Sequence, residues 1–301
     1  MNELYRVWRT LDLDSPLFAK NLERRLHIYF ESTTEYITDT LEHLILFFLV
    51  YFATCVLLYV FIVAWKTFPY TKSINCKRVL FITSHPDDEV MFFGPTILHL
   101  MKQPDVQVYL ICLSTGKNYG MGTVRKNELY KSCEILGIKE ENVTILTHTN
   151  LPDKIDHSWP TDVVSKLVLR HVEQFDIDVV ITFDRYGISK HPNHCSIYFS
   201  VADLIMEQKM PKTCSVYVLE TVDVLRKYWL IFDLPLTYLM SRIRYVVDCK
   251  DRRLIHKAMW QHKSQLVWYR LLYMFFSRYM LINSLQKMDL ADVELDLVLD
   301  D

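Results

Sequence analysis

The sequence predicts an α/β fold: a Rossmann-like, mostly parallel sheet flanked by helices and preceded by one transmembrane helix. Three observations carry that expectation. Short apolar runs alternate with helix-length segments between residues 79 and 219. The runs are continuously apolar, as strands covered on both faces are. An uncharged apolar run, Leu44 to Trp65, precedes the first of them.

The elements follow in chain order. Residues 1–43 carry no strong motif, although charges alternating with Leu, Tyr and Phe from Leu17 to Phe30 fit a short amphipathic helix of no assigned role. The run LILFFLVYFATCVLLYVFIVAW at 44–65 is long enough to cross a bilayer, which takes about 20 apolar residues. Trp65 and Tyr70 suit the interface. A core helix apolar all round at this length is uncommon, and the long polar stretch ahead does not suit a signal peptide. Lys66, Lys72, Lys77 and Arg78 follow the run closely, whereas Arg24 and Arg25 stand further off on the other side. Glu31, Glu35, Asp39 and Glu42 crowd the N-terminal flank but count for little. The positive-inside bias therefore places the C-terminal domain in the cytosol.

The domain occupies residues 78–285. Val79–Thr83 reads as a buried strand, Glu89–Met101 as a helix and Val106–Leu113 as a strand leading into the Gly-rich loop Thr115–Gly122. A helix from Val124 to Leu136 ends at Gly137, a common C-terminal cap. Val143–Leu146 is a strand, Thr161–Phe175 a helix and Asp178–Phe183 a strand. A helix from Asn193 to Gln208 and a strand, Ser215–Leu219, close the series. Tyr228–Val247 and Leu266–Ile282 are apolar, but Asp233, Arg242 and Arg244 interrupt the first, and Arg270 and Arg278 the second. Charges are costly inside a bilayer, so these stretches read either as segments lying on the membrane surface or as packing against the sheet. Residues 286–301 form an Asp-rich, solvated tail.

Composition narrows the class. A chain of 301 residues suggests one domain with appended segments. A net charge of -2 leaves no basic footprint for nucleic acid. The 10 Pro and 6 Gly argue against long flexible linkers. Seven cysteines, scattered and without a CxxC pair, suggest neither a disulfide framework nor a thiolate zinc site, but reduced residues in a cytosolic compartment. Cys195 follows His194 directly; adjacent helical residues point about 100° apart, which argues against both binding one metal.

Two loops carry the chemistry, and both follow strands, where ligands bind in parallel sheets. The first is His85-Pro86-Asp87-Asp88-Glu89, the second His191-Pro192-Asn193-His194. Helix capping accounts for Asp87 and for Glu89, but not for His85 at a strand end. Two imidazoles and a carboxylate suit Zn(II) or Fe(II) with positions left open. His85, Asp88 and His194 would be those ligands, leaving Asp87 as a free carboxylate and His191 as a free imidazole. These are the parts for metal-assisted amide hydrolysis, with Asp87 as base and His191 stabilising the oxyanion. The final proton donor, Asp87 or His191, stays open.

At these residues the chain resembles the PIG-L family, also called the LmbE-like deacetylases. That resemblance rests on Ser84-His85-Pro86-Asp87-Asp88-Glu89 and His191-Pro192-Asn193-His194, and extends from about Arg78 to Leu285. It includes Leu113–Gly116, Val124–Leu129 and Phe183–Gly187. Ser264–Arg270 and Ser277–Met280 resemble the eukaryotic branch, which deacetylates N-acetylglucosaminyl-phosphatidylinositol early in GPI-anchor synthesis, on the cytoplasmic face of the endoplasmic reticulum. The resemblance implies the same ligand set and roles, a divalent metal best met by Zn2+, and a lipid substrate at the bilayer. It also implies that Arg125 meets the substrate phosphate, for which a planar guanidinium is suited. Asp184, and more weakly Asp153, are candidates to orient a ligand histidine. Lys117 stands where relatives often carry Asn, and Ser189-Lys190 replaces a tyrosine found in bacterial relatives. Deacetylation of a soluble amino sugar, a non-haem Fe(II) oxygenase and a non-catalytic assembly subunit are the other readings. The anchor opposes the first, the alternation of strand and helix the second, and the intact ligand set the third.

Overall fold

The computed structural model describes residues 16–64, 74–116, 120–154, 157–291 and 293–294. The expectations for Trp65, Lys66, Tyr70, Lys72 and Lys117, for residues 1–15 and for the tail beyond Glu294 lie outside them. The chain divides into one unit ending at Thr54 and another beginning at Cys55. Helix α1, Pro16–Ala64, is continuous and absorbs the segment read as a separate short helix. Its stretch Lys20–Ala64 is long and apolar enough to cross a membrane. In the second unit the last turns of α1 meet the domain: Cys55 is buried, Leu58, Tyr59 and Ile62 pack against the core, and the Tyr59 hydroxyl donates to the Val247 carbonyl at 3.2 Å.

A sheet of seven strands forms the centre of the domain. β1 (Arg78–Thr83), β2 (Gln107–Cys112), β3 (Val143–Ile145), β4 (Val179–Phe183) and β5 (Ser215–Leu219) are parallel. The order β3-β2-β1-β4-β5 puts β1 beside β4. There the crossovers change direction, opening a crevice beyond the strand ends. Helices α4 (Gly122–Leu136), α5 (Thr161–Gln174) and α6 (Pro192–Met206) lie in the intervening segments. α4 ends at Gly137 with φ 89°, the left-handed cap expected there.

The sheet continues beyond β5. β6 (Ile243–Val246) and β7 (Ile282–Lys287) add antiparallel in the order β5-β7-β6. β6 lies within the first C-terminal apolar stretch and β7 begins at the last residue of the second, so packing against the sheet accounts for part of the first stretch and the end of the second. Three of their interrupting charges, Asp233, Arg244 and Arg278, are accommodated inside the protein, while Arg242 is exposed. Arg278, fully buried, pairs through Nε with Asp233 Oδ2 at 3.0 Å, and Arg226 Nε meets Asp233 Oδ1 at 2.6 Å. Arg244 lies 3.8 Å from the centre of the Tyr238 ring. Buried charges persist when paired and hydrogen-bonded in this way.

The helix expected over 89–101 is broken into α2 (Asp88–Met91) and α3 (Gly94–Met101). Pro95, in the first turn of α3, cannot donate backward into a continuous helix. Asn283 of β7 satisfies the break: its Nδ2 donates to the Phe92 carbonyl at 2.8 Å, and its Oδ1 accepts from Thr96 N at 3.1 Å and Thr96 Oγ1 at 2.8 Å. Asn283→Leu leaves those buried groups unpaired, at about 1–3 kcal/mol each. The expected result is a fall in apparent Tm of roughly 6 °C or more by tryptophan-fluorescence melting; an unchanged Tm would count against this account of the break.

Candidate active site and metal centre

The first loop leaves β1 at Thr83 and turns sharply. Asp87 takes φ 111°, a left-handed conformation unusual for a residue with a side chain and characteristic of functional sites. Glu89 holds it there. Glu89 Oε2 accepts from Asp87 N at 3.0 Å, while Oε1 accepts from Ser132 Oγ at 2.6 Å and meets His262 Nε2 at 2.7 Å. All three partner side chains are buried, so Glu89 is an anchor for the turn and not a free carboxylate. The turn brings Asp88 back on the loop, where its Oδ2 accepts from Ser84 N at 3.0 Å and His85 N at 2.8 Å.

The second loop leaves β4 at Phe183 and is closed by Asp184. That carboxylate accepts from Tyr186 N (3.1 Å), Gly187 N (3.0 Å), Thr221 N (2.6 Å) and Thr221 Oγ1 (2.6 Å). The turn places the Gly187 carbonyl 3.1 Å from His194 Nδ1. Phe183 stacks on the His194 ring, with centroids 4.0 Å apart and planes 5° from parallel. Pro192 opens α6 with no N–H to leave unpaired, and His191 Nδ1 accepts from Asn193 N at 3.3 Å.

The two loops converge. His85, Asp88 and His194 are buried, and one donor atom from each lies within 4.8 Å of the others. Asp88 Oδ2 is 3.4 Å from His194 Nε2 and 3.7 Å from His85 Nδ1. The outer partners fix the tautomers. Gly187 O can only accept, so His194 Nδ1 carries the proton and Nε2, buried without a hydrogen-bond partner, faces Asp88. On His85, Nε2 faces Asp153 Oδ1 at 3.2 Å, another pure acceptor, and Nδ1 faces inward. Asn193 also meets His85 Nε2, at 3.0 Å; its Oδ1, otherwise unpartnered, is the atom that suits this N–H. Two imidazole nitrogens and a carboxylate thus share a focus that a divalent cation fits, each imidazole oriented by an outer acceptor. Burial pushes the Asp88 carboxyl up, but the His194 and His85 side chains and the His85 N–H outweigh it and hold it well below its ordinary range.

Beside this focus stand Asp87 and His191. His191 lies with its ring centroid 4.9 Å from His85 and 4.8 Å from His194. Burial, then His194 and His85, push its pKa down to about 4 against the pull of Asp88 and Asp153. A neutral ring whose Nδ1 accepts from Asn193 presents Nε2–H as a donor, so the resting state is imidazole and not imidazolium. Asp87 forms an ion pair with Arg270 of α10 (Trp268–Phe276). Burial brings the Arg270 pKa down to about 10, and its Nη1 also lies 3.5 Å from Met91 Sδ.

Several sequence-derived roles are redistributed. Asp184 makes no hydrogen bond to a histidine ring among the described residues; it acts on His194 through the Gly187 carbonyl. The carboxylate that orients a histidine directly is Asp153. Arg125 donates from Nη1 to Asp153 Oδ2 at 3.4 Å, beneath Gly116, where a Cβ would overlap the guanidinium. Burial pushes the Asp153 carboxyl up, but His85, Arg125 and His191 together bring it below its ordinary value. Cys195 lies outside the donor cluster, with its thiol pKa pushed up by burial and by Asp184. Sequence reasoning missed Arg270, which lies in the quoted run Ser264–Arg270 but far along the chain from Asp87. The same run is tied to the quoted helix start: Ser264 N and Oγ donate to Glu128 at 2.8 and 2.5 Å.

Known proteins resemble this chain. Residues 80–205 match the family described as PIG-L, GlcNAc-PI de-N-acetylase. The chain is 46% identical over 209 residues to the N-acetylglucosaminyl-phosphatidylinositol de-N-acetylase of Bos taurus, covering 69% of this chain and 82% of the bovine protein. The chain belongs to the PIG-L family of de-N-acetylases. A probable N-acetylglucosaminyl-phosphatidylinositol de-N-acetylase of Dictyostelium discoideum is 37% identical over 239 residues, 69% of this chain and 92% of that protein. Among solved structures, the N,N'-diacetylchitobiose deacetylase from Pyrococcus horikoshii shares the fold at a TM-score of 0.52 and 21% identity, covering 72% of this chain and 85% of that one. As a member of this family the chain is an amide hydrolase.

Two substitutions test the geometry. At Gly187, φ 54°, a Cβ would lie 2.7 Å from His194 Cβ and 3.3 Å from the Cys195 backbone nitrogen. Gly187→Ala should displace His194 and abolish tight binding of Co2+ or Zn2+ at one site per chain, read by calorimetry. Asp153→Asn should weaken that binding roughly 10–100-fold, as loss of an outer partner of a metal-bound histidine does. Wild-type affinity in both variants would refute this arrangement.

Proposed function

We propose that the enzyme hydrolyses the acetamide of N-acetylglucosaminyl-phosphatidylinositol, giving glucosaminyl-phosphatidylinositol and acetate in GPI-anchor biosynthesis. The observation that carries this reading is the buried His85–Asp88–His194 focus flanked by Asp87 and His191, in a chain 46% identical to a relative named for that reaction. His85, Asp88 and His194 would hold the metal, for which two imidazoles and a carboxylate best suit Zn2+. The bound ion would supply Lewis acidity, polarising the acetamide carbonyl and lowering the pKa of water beside it.

The protein's own groups supply the remainder. Asp87 takes the proton from the attacking water as the C–O bond forms. Arg270 binds Asp87 Oδ2, so Oδ1 is the oxygen assigned to that transfer. His191 donates from Nε2 to the carbonyl oxygen as charge develops on it, a neutral donor placed by its N-cap bond. The C–N bond then breaks, and the amine leaves with the proton that Asp87 took from the water, which restores the Asp87 carboxylate. Arg125, half-buried and already paired with Asp153, is placed to meet the substrate phosphate.

The apolar run of residues 44–65, which α1 carries as far as Ala64, is read as a single membrane span, with residues 1–43 ahead of it and the domain of 78–285 after it. Lys66, Lys72, Lys77 and Arg78 after the run support a cytosolic catalytic domain, as the seven free cysteines do, and the assigned reaction points to the endoplasmic reticulum.

The test is acetate release by the full chain from N-acetylglucosaminyl-phosphatidylinositol in mixed micelles. Chelation should remove activity and added Zn2+ restore it. Asp87→Asn should lower kcat by about 10²–10⁴, the range for loss of a general base, without loss of bound metal. Full activity in that variant, or indifference to chelator, would overturn the mechanism. Equal turnover of free N-acetylglucosamine would overturn the lipid assignment.

A further inference from the structure

Helix α10 has two faces. Tyr273 and Met274 are buried, while Trp268, Tyr269, Leu272, Phe275 and Phe276 are 73%, 57%, 48%, 53% and 54% exposed. The exposed residues recur at one- and three-residue intervals, a single apolar stripe turned away from the core. Other apolar side chains are exposed on α7 (Val224–Tyr228), which meets α10 at Tyr273, and on the helix after it. Tyr228 at the end of α7 lies 6.4 Å from Tyr273, ring to ring. Leu225 on that helix is 67% exposed, and Leu239 on α8 (Leu234–Met240) is 83% exposed. Exposed apolar surface of this kind marks an interaction site.

Its position in the domain identifies the partner. The Phe275 carbonyl accepts from Arg252 Nη2 at 2.9 Å, and the Phe275 ring packs on His256 at 5.7 Å. Both belong to α9 (Cys249–Met259). At the start of α9, Cys249 Sγ lies 3.7 Å from the Tyr59 hydroxyl, near the end of the apolar helix α1. One helix therefore separates the uncovered stripe from the end of the candidate membrane span. α9 also exposes Lys250, Arg253 and Lys257, a basic edge complementary to anionic headgroups. Trp and Tyr beside apolar side chains and basic residues are the composition of an interfacial helix. At its inner end, Arg270 reaches Asp87.

We propose that the outer face of α10 docks in the headgroup region of the bilayer, next to the catalytic crevice, so that a lipid-linked sugar is presented to the site at the membrane surface. The partner is lipid, not a protein or a second copy of the chain. The presentation step rests on the reading of the substrate as a membrane lipid; the docking itself does not.

Docking is measured without turnover. The full chain, with exposed Cys249→Ser, is reconstituted in phosphatidylcholine vesicles containing phosphatidylinositol. Spin labels are placed through Trp268→Cys, Phe275→Cys and, as an exposed reference, Glu141→Cys. Labels at 268 and 275 should show high collision with oxygen and low collision with a water-soluble nickel chelate; the label at 141 should show the reverse. Water accessibility at 268 and 275 equal to that at 141 would overturn the proposal. So would low collision with both reagents, the mark of a protein contact.

A second measurement uses Trp268→Glu combined with Phe275→Glu. KM for bilayer-embedded N-acetylglucosaminyl-phosphatidylinositol should rise roughly tenfold or more, while kcat/KM on a short-chain, water-soluble analogue stays within twofold. Equal effects on both substrates would overturn the presentation step. If the wild type turns over neither substrate, the proposed function fails while the label data still decide docking.

Discussion

The site depends on where two protons are. His194 spends its Nδ1–H on the Gly187 carbonyl and His85 its Nε2–H on Asp153, so both rings turn their remaining nitrogens toward the Asp88 carboxylate. Electron-rich atoms brought that close in a buried setting favour a cation between them. The rest of the local architecture maintains the convergence. Asp184 sets the turn that aims the Gly187 carbonyl, Phe183 fixes the plane of the His194 ring, and Glu89 holds Asp87 in its unusual backbone state. None of these acts at a distance; each is a packed or hydrogen-bonded contact within the two loops or against their immediate supports.

The fold was legible where one rule dominates. Val79–Thr83 and Asp178–Phe183 read as buried strands because both faces are covered, and the structure has β1 and β4 there, side by side. Gly137 ended its helix because only a left-handed residue closes it without strain. The His and Asp residues stood out because capping and core packing do not account for His85 at a strand end. What escaped depends on contacts between distant segments. Nothing local marks Arg270 as the partner of Asp87, and the choice between Asp153 and Asp184 as the histidine's partner is made by loop paths that spacing does not encode. β6 was hidden by the charges within its stretch, and β7 begins only where the second stretch ends. Arg244 and Arg278 look unsuited to a core until Tyr238 and Asp233 are placed beside them. The break between α2 and α3 likewise needs Asn283, which arrives from the far end of the domain.

The C-terminal region serves two environments with one helix. Its inner side supplies Tyr273, whose hydroxyl donates to the Met91 carbonyl at 3.1 Å, and Arg270, so it belongs to the wall of the active site. Its outer side is uncovered and aromatic. The buried Arg226–Asp233–Arg278 cluster lies beneath this region, where α7 and α8 join the core. Such a cluster contributes less to net stability than an apolar core would, but it admits few alternative arrangements of the segments it links.

The strand order has a consequence for how the protein comes into being. β6 is synthesised before β7, yet within the described sheet it pairs only with β7, which lies between it and β5. The five parallel strands can assemble while the chain is still being translated, as N-terminal parts of nascent chains generally do. β6, α9 and α10 must wait for residues 282–287 before their edge of the sheet closes. During that interval an aromatic helix and an unpaired strand are uncovered, which leaves the nascent chain open to misassembly.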